Sequence, residues 1–169
     1  DEYTQDYRAL EVEKIISSAK AGESLALVGI RGSGKSNFLG FIANRKSVSL
    51  QGKDDTERFL LVDCNRMADA TPHGFYRLIL KTVQPGSATA ENENDLLGVL
   101  ETALGKALTD GKRLCLLFDR FDVLTGLPIF PHIAGNLRAL RDLYKYRLSY
   151  VVALRRPVDP HNELAELFF

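Results

Sequence analysis

The chain has 169 residues, 45% of them hydrophobic and 26% charged, which fits one globular domain with enough apolar material for a sheet covered by helices. Lys plus Arg and Asp plus Glu each number 22, so charge gives no footprint of a nucleic-acid or membrane partner. No apolar run approaches the about 20 residues of a membrane span and no leader peptide is visible, but the sequence opens on Asp1 instead of a methionine, so its natural start is expected to lie upstream.

In chain order, residues 4–20 read as a helix, with Tyr7, Leu10, Ile15 and Ala19 near a 3–4 spacing and Gly22 placed to end it. SLALVG (24–29) is short and uniformly apolar, which predicts a buried strand. KSNFLGFIANRK (35–46) follows as a helix with Phe38, Leu39 and Ile42 inward, and RFLLVDC (58–64) is a second strand. Thr71 before Pro72 supplies an N-cap and a first-turn proline for a helix carrying Phe75, Leu78, Ile79 and Val83. Residues 84–94 (QPGSATAENEN) are small and polar with no apolar anchor, and read as a mobile loop. A helix over 95–108 aligns Leu96, Leu97, Leu100, Leu104 and Leu108 on one face, and Asp110-Gly111 ends it. RLCLLFD (113–119) is a third buried strand. A Gly/Pro-containing segment, 126–131, leads to a helix aligning Ile133, Leu137, Leu140 and Tyr144, and LSYVVALR (148–155) is a fourth strand. Apolar strands alternating with helices predict an α/β fold with a parallel sheet and right-handed crossovers. Cys64 and Cys115 sit inside apolar runs and are expected as buried free thiols of a reducing, cytoplasmic compartment.

Gly29-Ile30-Arg31-Gly32-Ser33-Gly34-Lys35-Ser36 matches G-x-x-x-x-G-K-[ST] without a mismatch, between a predicted strand and a predicted helix. Its glycines admit backbone conformations closed to other residues and let N–H groups approach an anion. The helix N-terminus behind them, carrying Lys35, Ser36 and Asn37, favours negative charge. Lys35 is expected to reach the β and γ phosphates of ATP or ADP, and the Ser36 hydroxyl to ligate Mg²⁺. A second acid for the metal belongs at the end of a neighbouring buried strand. LCLLFDRFD supplies it at Asp119, a Walker B pattern. Asp122, three residues on, is the nearest other carboxylate; it either acts through a water or caps the following segment. His73, His132 and His161 are far apart and show no metal spacing.

The order of these pieces resembles the core of AAA+ ATPases, most closely the STAND branch and its origin-recognition-type relatives. LVGIRGSGKSNFL is similar to the STAND P-loop, FLLVDCNRM to its second strand and LLFDRFD to its Walker B; NLRALRDLYKYRLSYVVALRRP resembles the helix and sensor-1 strand. The resemblance implies a three-layer P-loop NTPase sandwich with a mainly parallel sheet of the additional-strand type. It also implies that Arg155, with Arg156 as its neighbour, senses the γ-phosphate. YRALEVEKI is similar to the family's leading segment that contacts the base, with Arg8 and Glu11 as candidates. Many members carry a Glu directly after the Walker B Asp to polarise the attacking water. Here that position is Arg120, which stays protonated and cannot be a base. Arg138 and Arg141, one helical step apart, read as solvating their helix. The family core continues into a fifth strand beside the P-loop strand and then a helical lid. Residues 1–169 are therefore expected to be a nucleotide-binding domain truncated at its C-terminal end, with that strand and lid outside it.

The resemblance implies an ATP-binding module using Mg²⁺: a slowly hydrolysing STAND-like switch within a larger signalling, regulatory or defence protein. Its expected partners are other domains or proteins, with a nucleotide-dependent oligomer as one form and no membrane. The alternative is a DNA-associated AAA+ ATPase of origin-recognition or loader type, for which this segment shows no basic appendage. A small-molecule kinase would need an arginine-bearing lid that is not visible, and a GTPase an N-K-x-D motif that does not occur.

Overall fold

A computed structural model of the protein describes residues 9–29, 32, 34–44, 57–86, 95–161 and 163–168. Among them four strands, β1 (Leu25–Val28), β2 (Glu57–Asp63), β3 (Arg113–Asp119) and β4 (Leu148–Leu154), form a sheet in the order β1-β4-β3-β2. Every pairing is parallel, in registers that include Leu27 with Ala153, Leu117 with Val151 and Asp63 with Asp119. β4 therefore lies between β1, which leads into the glycine loop, and β3, which ends at Asp119, the additional-strand arrangement that the resemblance implies.

Helices α1 (Ala9–Ala21) and α2 (Lys35–Ala43) cover one face of the sheet, and α3 (Pro72–Val83), α4 (Leu96–Ala107) and α6 (Phe130–Leu143) the other. Side chains alternate across a strand. Accordingly Leu114, Leu116 and Phe118 of β3 join the core under α3, α4 and α6, while Cys115 and Leu117 pack toward α1 and α2. Burial on both faces explains the unbroken apolar strands. On the larger side Phe118 meets Phe75, Phe121 and Tyr150 at ring-centroid distances of 5.5, 5.5 and 5.7 Å. Tyr150 is buried among them and its hydroxyl donates to the Leu137 carbonyl at 2.7 Å.

Local signals fixed several boundaries. Thr71 Oγ1 accepts the Gly74 N–H at 3.0 Å and Pro72 opens α3; Asp95 Oδ1 accepts the Gly98 N–H at 3.0 Å and caps α4. The buried face of α4 is Leu96, Leu100, Ala103 and Leu104, with Leu108 buried just past its end and Leu97 half-buried. Leu78 is half-buried beside Phe75, Ile79 and Val83 in α3.

Other expectations need correction. Leu10 of α1 is 80% exposed, and the inward face is Val12, Ile15 and Ala19. At about 100° per residue, Leu10 stands roughly 140° away from Ile15 around the helix. β1 is not a buried strand: Leu25 to Leu27 are half-buried and Val28 is 43% exposed, because β4 is its sole ladder partner among the described residues. Tyr144, just past the end of α6 as its C-cap residue, is half-buried and packs against the same core as Ile133, Leu137 and Leu140, with its hydroxyl donating to the Glu101 carbonyl at 2.6 Å. Arg138 pairs with Glu166, and Arg141 donates to the Leu167 carbonyl at 2.6 Å. Both arginines tie the C-terminal turn (Glu163–Leu167) to α6 instead of solvating it.

Cys64 and Cys115 are buried and unbridged, as expected. Burial pushes the Cys115 thiol up to about 12 and raises that of Cys64 further, with Asp63 and Asp119 adding to the shift. Both thiols therefore stay protonated and serve as packing. The readings made of Tyr7, of residues 45–46 and of the loop tip 87–94 lie outside the described residues. No helix among the described residues is long and apolar enough to cross a membrane.

Candidate functional site

The carboxyl ends of the parallel strands and the N-terminus of α2 meet at one cleft of about 690 Å³, lined by Gly32, Gly34, Lys35, Ser36, Asn37, Asn65, Asp119, Arg120, Asp122, Val123, Ala153 and Arg155. Ligand sites of α/β sheets lie outside the carboxyl ends of the strands, and this volume is within the range of about 300–1,000 Å³ typical of small-molecule pockets.

The loop between β1 and α2 is tied to the sheet by the Gly29 N–H, which donates to the Leu154 carbonyl at 3.0 Å. Gly32 and Gly34 have φ of 83° and 84°, the left-handed region that disfavours any side chain. Gly34 is the N-cap of α2; it provides no side-chain cap, and the first turn carries no acidic residue. α3 and α4, by contrast, are capped by Thr71 and Asp95. The amide N–H groups that begin a helix lack intrahelical acceptors. At α2 they open on the cleft with no side-chain cap from Gly34, which suits a bound phosphate. The Lys35 ammonium donates to the Gly29 carbonyl across the base of the loop. An ammonium has three donors, of which the Gly29 carbonyl takes one. Buried Phe38, Leu39, Phe41 and Ile42 hold α2 in place. Ile30, Arg31 and Ser33 lie outside the described residues.

Asp119 ends β3 facing this loop and is 6% exposed. Its Oδ1 accepts the N–H of Arg120 at 2.9 Å. Arg120 has φ of 54°, a conformation that costs a non-glycine residue about 1 kcal/mol or more. The turn puts Phe121 fully inside the core, against Phe118 and Phe130, and leaves Arg120 exposed along the cleft. Asp122 opens the short helix α5 (Asp122–Thr125) and accepts the Arg155 N–H at Oδ2, 3.0 Å away. Of the two basic residues after β4, Arg155 lines the cleft; Arg156 is exposed nearby. Glu11 is an exposed residue of α1, and Arg8 lies outside the described residues.

Sequence reasoning missed Asn65, Val123 and Ala153. Asn65 follows β2 in a turn whose backbone N–H donates to Asp63 Oδ1 at 3.0 Å. Because Asp63 and Asp119 are register partners, a polar residue just past Asp63 lines the same cleft as the Asp119 carboxylate. The polar break after FLLVDC was the available signal.

Among the described residues no three His, Cys, Asp or Glu side chains group to hold a metal on their own. The cleft offers the Ser36 hydroxyl and the Asp119 carboxylate, two hard oxygen donors. That set fits Mg²⁺, which is commonly held by one or two protein oxygens together with substrate phosphates, and not a dedicated protein-only metal site.

No protein-family model matches the chain, and no curated protein shows significant sequence similarity to it. Solved structures do match. The chain is similar to the ORC1 protein of Aeropyrum pernix in complex with DNA, at 15% identity and a TM-score of 0.67, covering 95% of this chain and 43% of that one. It is similar to the ORC2 protein of the same organism, solved as ADPNP-ADP complexes, at 16% identity and a TM-score of 0.61, covering 94% and 41%. For Cdc6p of Pyrobaculum aerophilum the values are 17% identity, a TM-score of 0.59, and 99% and 44%. The chain thus spans less than half the length of each. At such identities the likeness establishes the fold alone, the parallel α/β P-loop fold that these structures share.

Proposed function

We propose that this chain is the nucleotide-binding domain of a STAND-like switch: it binds Mg-ATP between the α2 loop and Asp119 and hydrolyses it slowly. The observation that carries this reading is the N-terminus of α2, begun by Gly34 with a positive φ and headed by Lys35, opening on the same cleft as the Asp119 carboxylate. In the proposed assignment Gly29, Ile30, Arg31, Gly32, Ser33 and Gly34 wrap the phosphates and Lys35 neutralises them. Ser36 and Asp119 hold Mg²⁺, and Arg155 reads the γ-phosphate. Magnesium, when bound, offsets phosphate charge and orients the terminal phosphate. Slow turnover follows from Arg120, which brings a permanent positive charge where a base would serve.

Removing the metal provides the test. ATP affinity measured in Mg²⁺ is expected to exceed that in EDTA by about tenfold or more, and Asp119→Ala to abolish most of the difference, consistent with loss of one charge-assisted ligand. An Asp119→Ala protein that folds and keeps the full magnesium dependence would overturn the metal assignment.

A second reading is favoured by the likeness to an origin-recognition protein solved with DNA: a DNA-associated ATPase of loader type. Affinity for duplex DNA that falls steeply with added salt would favour it over the switch.

A further inference from the structure

Among the described residues, two hydrogen bonds join the turn after β3 to the end of β4. The Phe121 N–H donates to the Ala153 carbonyl at 3.2 Å, and the Arg155 N–H donates to Asp122 Oδ2 at 3.0 Å. The second is the one made by a side chain. Arg155 is the first residue beyond β4, where the strand ladder no longer fixes the backbone. Asp122 itself is firmly placed, because Phe121 before it and Leu124 after it are fully buried. Asp122 and Arg155 both line the cleft.

We propose that Asp122 is a positioning residue for Arg155: its carboxylate clamps the Arg155 backbone so that the guanidinium is presented to the terminal phosphate. The inference rests on the nucleotide-binding reading above and resolves the two roles that the sequence left open for Asp122. A carboxylate committed to an N–H acceptor role needs its oxygen, not its basicity. One clamp then links the metal-binding turn and the phosphate-reading strand end, so that a change at the terminal phosphate is felt on both walls.

The test compares ATP and ADP affinities, and turnover, for the unsubstituted protein, Asp122→Ala, Asp122→Asn, Arg155→Ala and the double variant. Asp122→Ala is expected to lose about tenfold of the preference for ATP over ADP, the scale of one directed charge-assisted hydrogen bond, with ADP affinity within about threefold. Asp122→Asn keeps an oxygen for the Arg155 N–H and is expected to restore most of that preference and of the turnover. In the double variant the loss should equal that of Arg155→Ala alone, since both act through one side chain. An unchanged ATP-to-ADP ratio in Asp122→Ala, additive losses in the double variant, or an Asp122→Asn protein as slow as Asp122→Ala would each overturn the clamp. If Asp122→Ala does not fold, the comparison of Asp122→Asn turnover with the unsubstituted protein still decides between acceptor and base. Failure of the unsubstituted protein to bind either nucleotide would instead overturn the nucleotide-binding reading itself.

Discussion

Replacing Lys35 with alanine is expected to weaken ATP binding at least about 100-fold while the fold survives. The magnitude corresponds to losing about two charge-assisted hydrogen bonds to phosphate oxygens. Survival of the fold follows from where α2 is held. Its anchors are Phe38, Leu39, Phe41 and Ile42 on the inner face, whereas the Lys35 ammonium contributes its bond to the Gly29 carbonyl. Removing that bond should cost about 1 kcal/mol and lower the melting temperature by roughly 2–4 °C in a domain of this size. Titration with ATP, paired with a thermal melt of the same sample, checks both halves. Binding retained within about threefold would show that the glycine loop is a strand-to-helix turn with no phosphate to hold.

The second large effect is expected at Arg120. Placing a carboxylate there, as Arg120→Glu, should raise ATP turnover about 10- to 100-fold, up to the lower end of what a positioned general base contributes. Arg120→Ala separates the two ways of reaching that outcome. If lack of a base limits hydrolysis, Ala leaves turnover slow. If the arginine charge itself restrains the reaction, Ala and Glu accelerate it alike. Steady-state phosphate release by the three proteins reads the difference, with ATP affinity measured alongside. Unchanged turnover in Arg120→Glu with intact ATP binding would mean that this position does not face the attacking water. The left-handed backbone at Arg120 adds a control: Arg120→Gly should melt slightly higher than the unsubstituted protein by relieving that conformation.

Much of this arrangement could be read from residue patterns because the signals were local or periodic. The cap at Thr71, the apolar face of α4 and the strand ending at Asp119 depend on neighbours in sequence; the second strand, read through Cys64, ends one residue earlier at Asp63. The P-loop spacing and the acid after LCLLF belong to the same class. What was not legible depends on partners distant in the chain. The exposure of β1 follows from its having β4 as its one ladder partner among the described residues, which no stretch of LALV encodes. Arg138 and Arg141 looked like a solvated pair until the chain returned at Glu166 and Leu167. Asp122 had two open roles because its partner, the Arg155 N–H, is 33 residues away. Asn65 joins the cleft through strand register, not spacing. Leu10 was a fault of phase, since an apolar residue five positions from Ile15 lies off its helical face.

The proposal that this site holds a phosphate more than it cleaves one is most directly tested by mixing the protein in excess with Mg-ATP and following bound nucleotide over time. The expected result is saturable binding of ATP, with the bound nucleotide recovered largely intact and hydrolysed more slowly than about 0.1 s⁻¹, against about 10 s⁻¹ for a median enzyme. No binding by the folded protein, or hydrolysis at the rate of an ordinary enzyme, would contradict it.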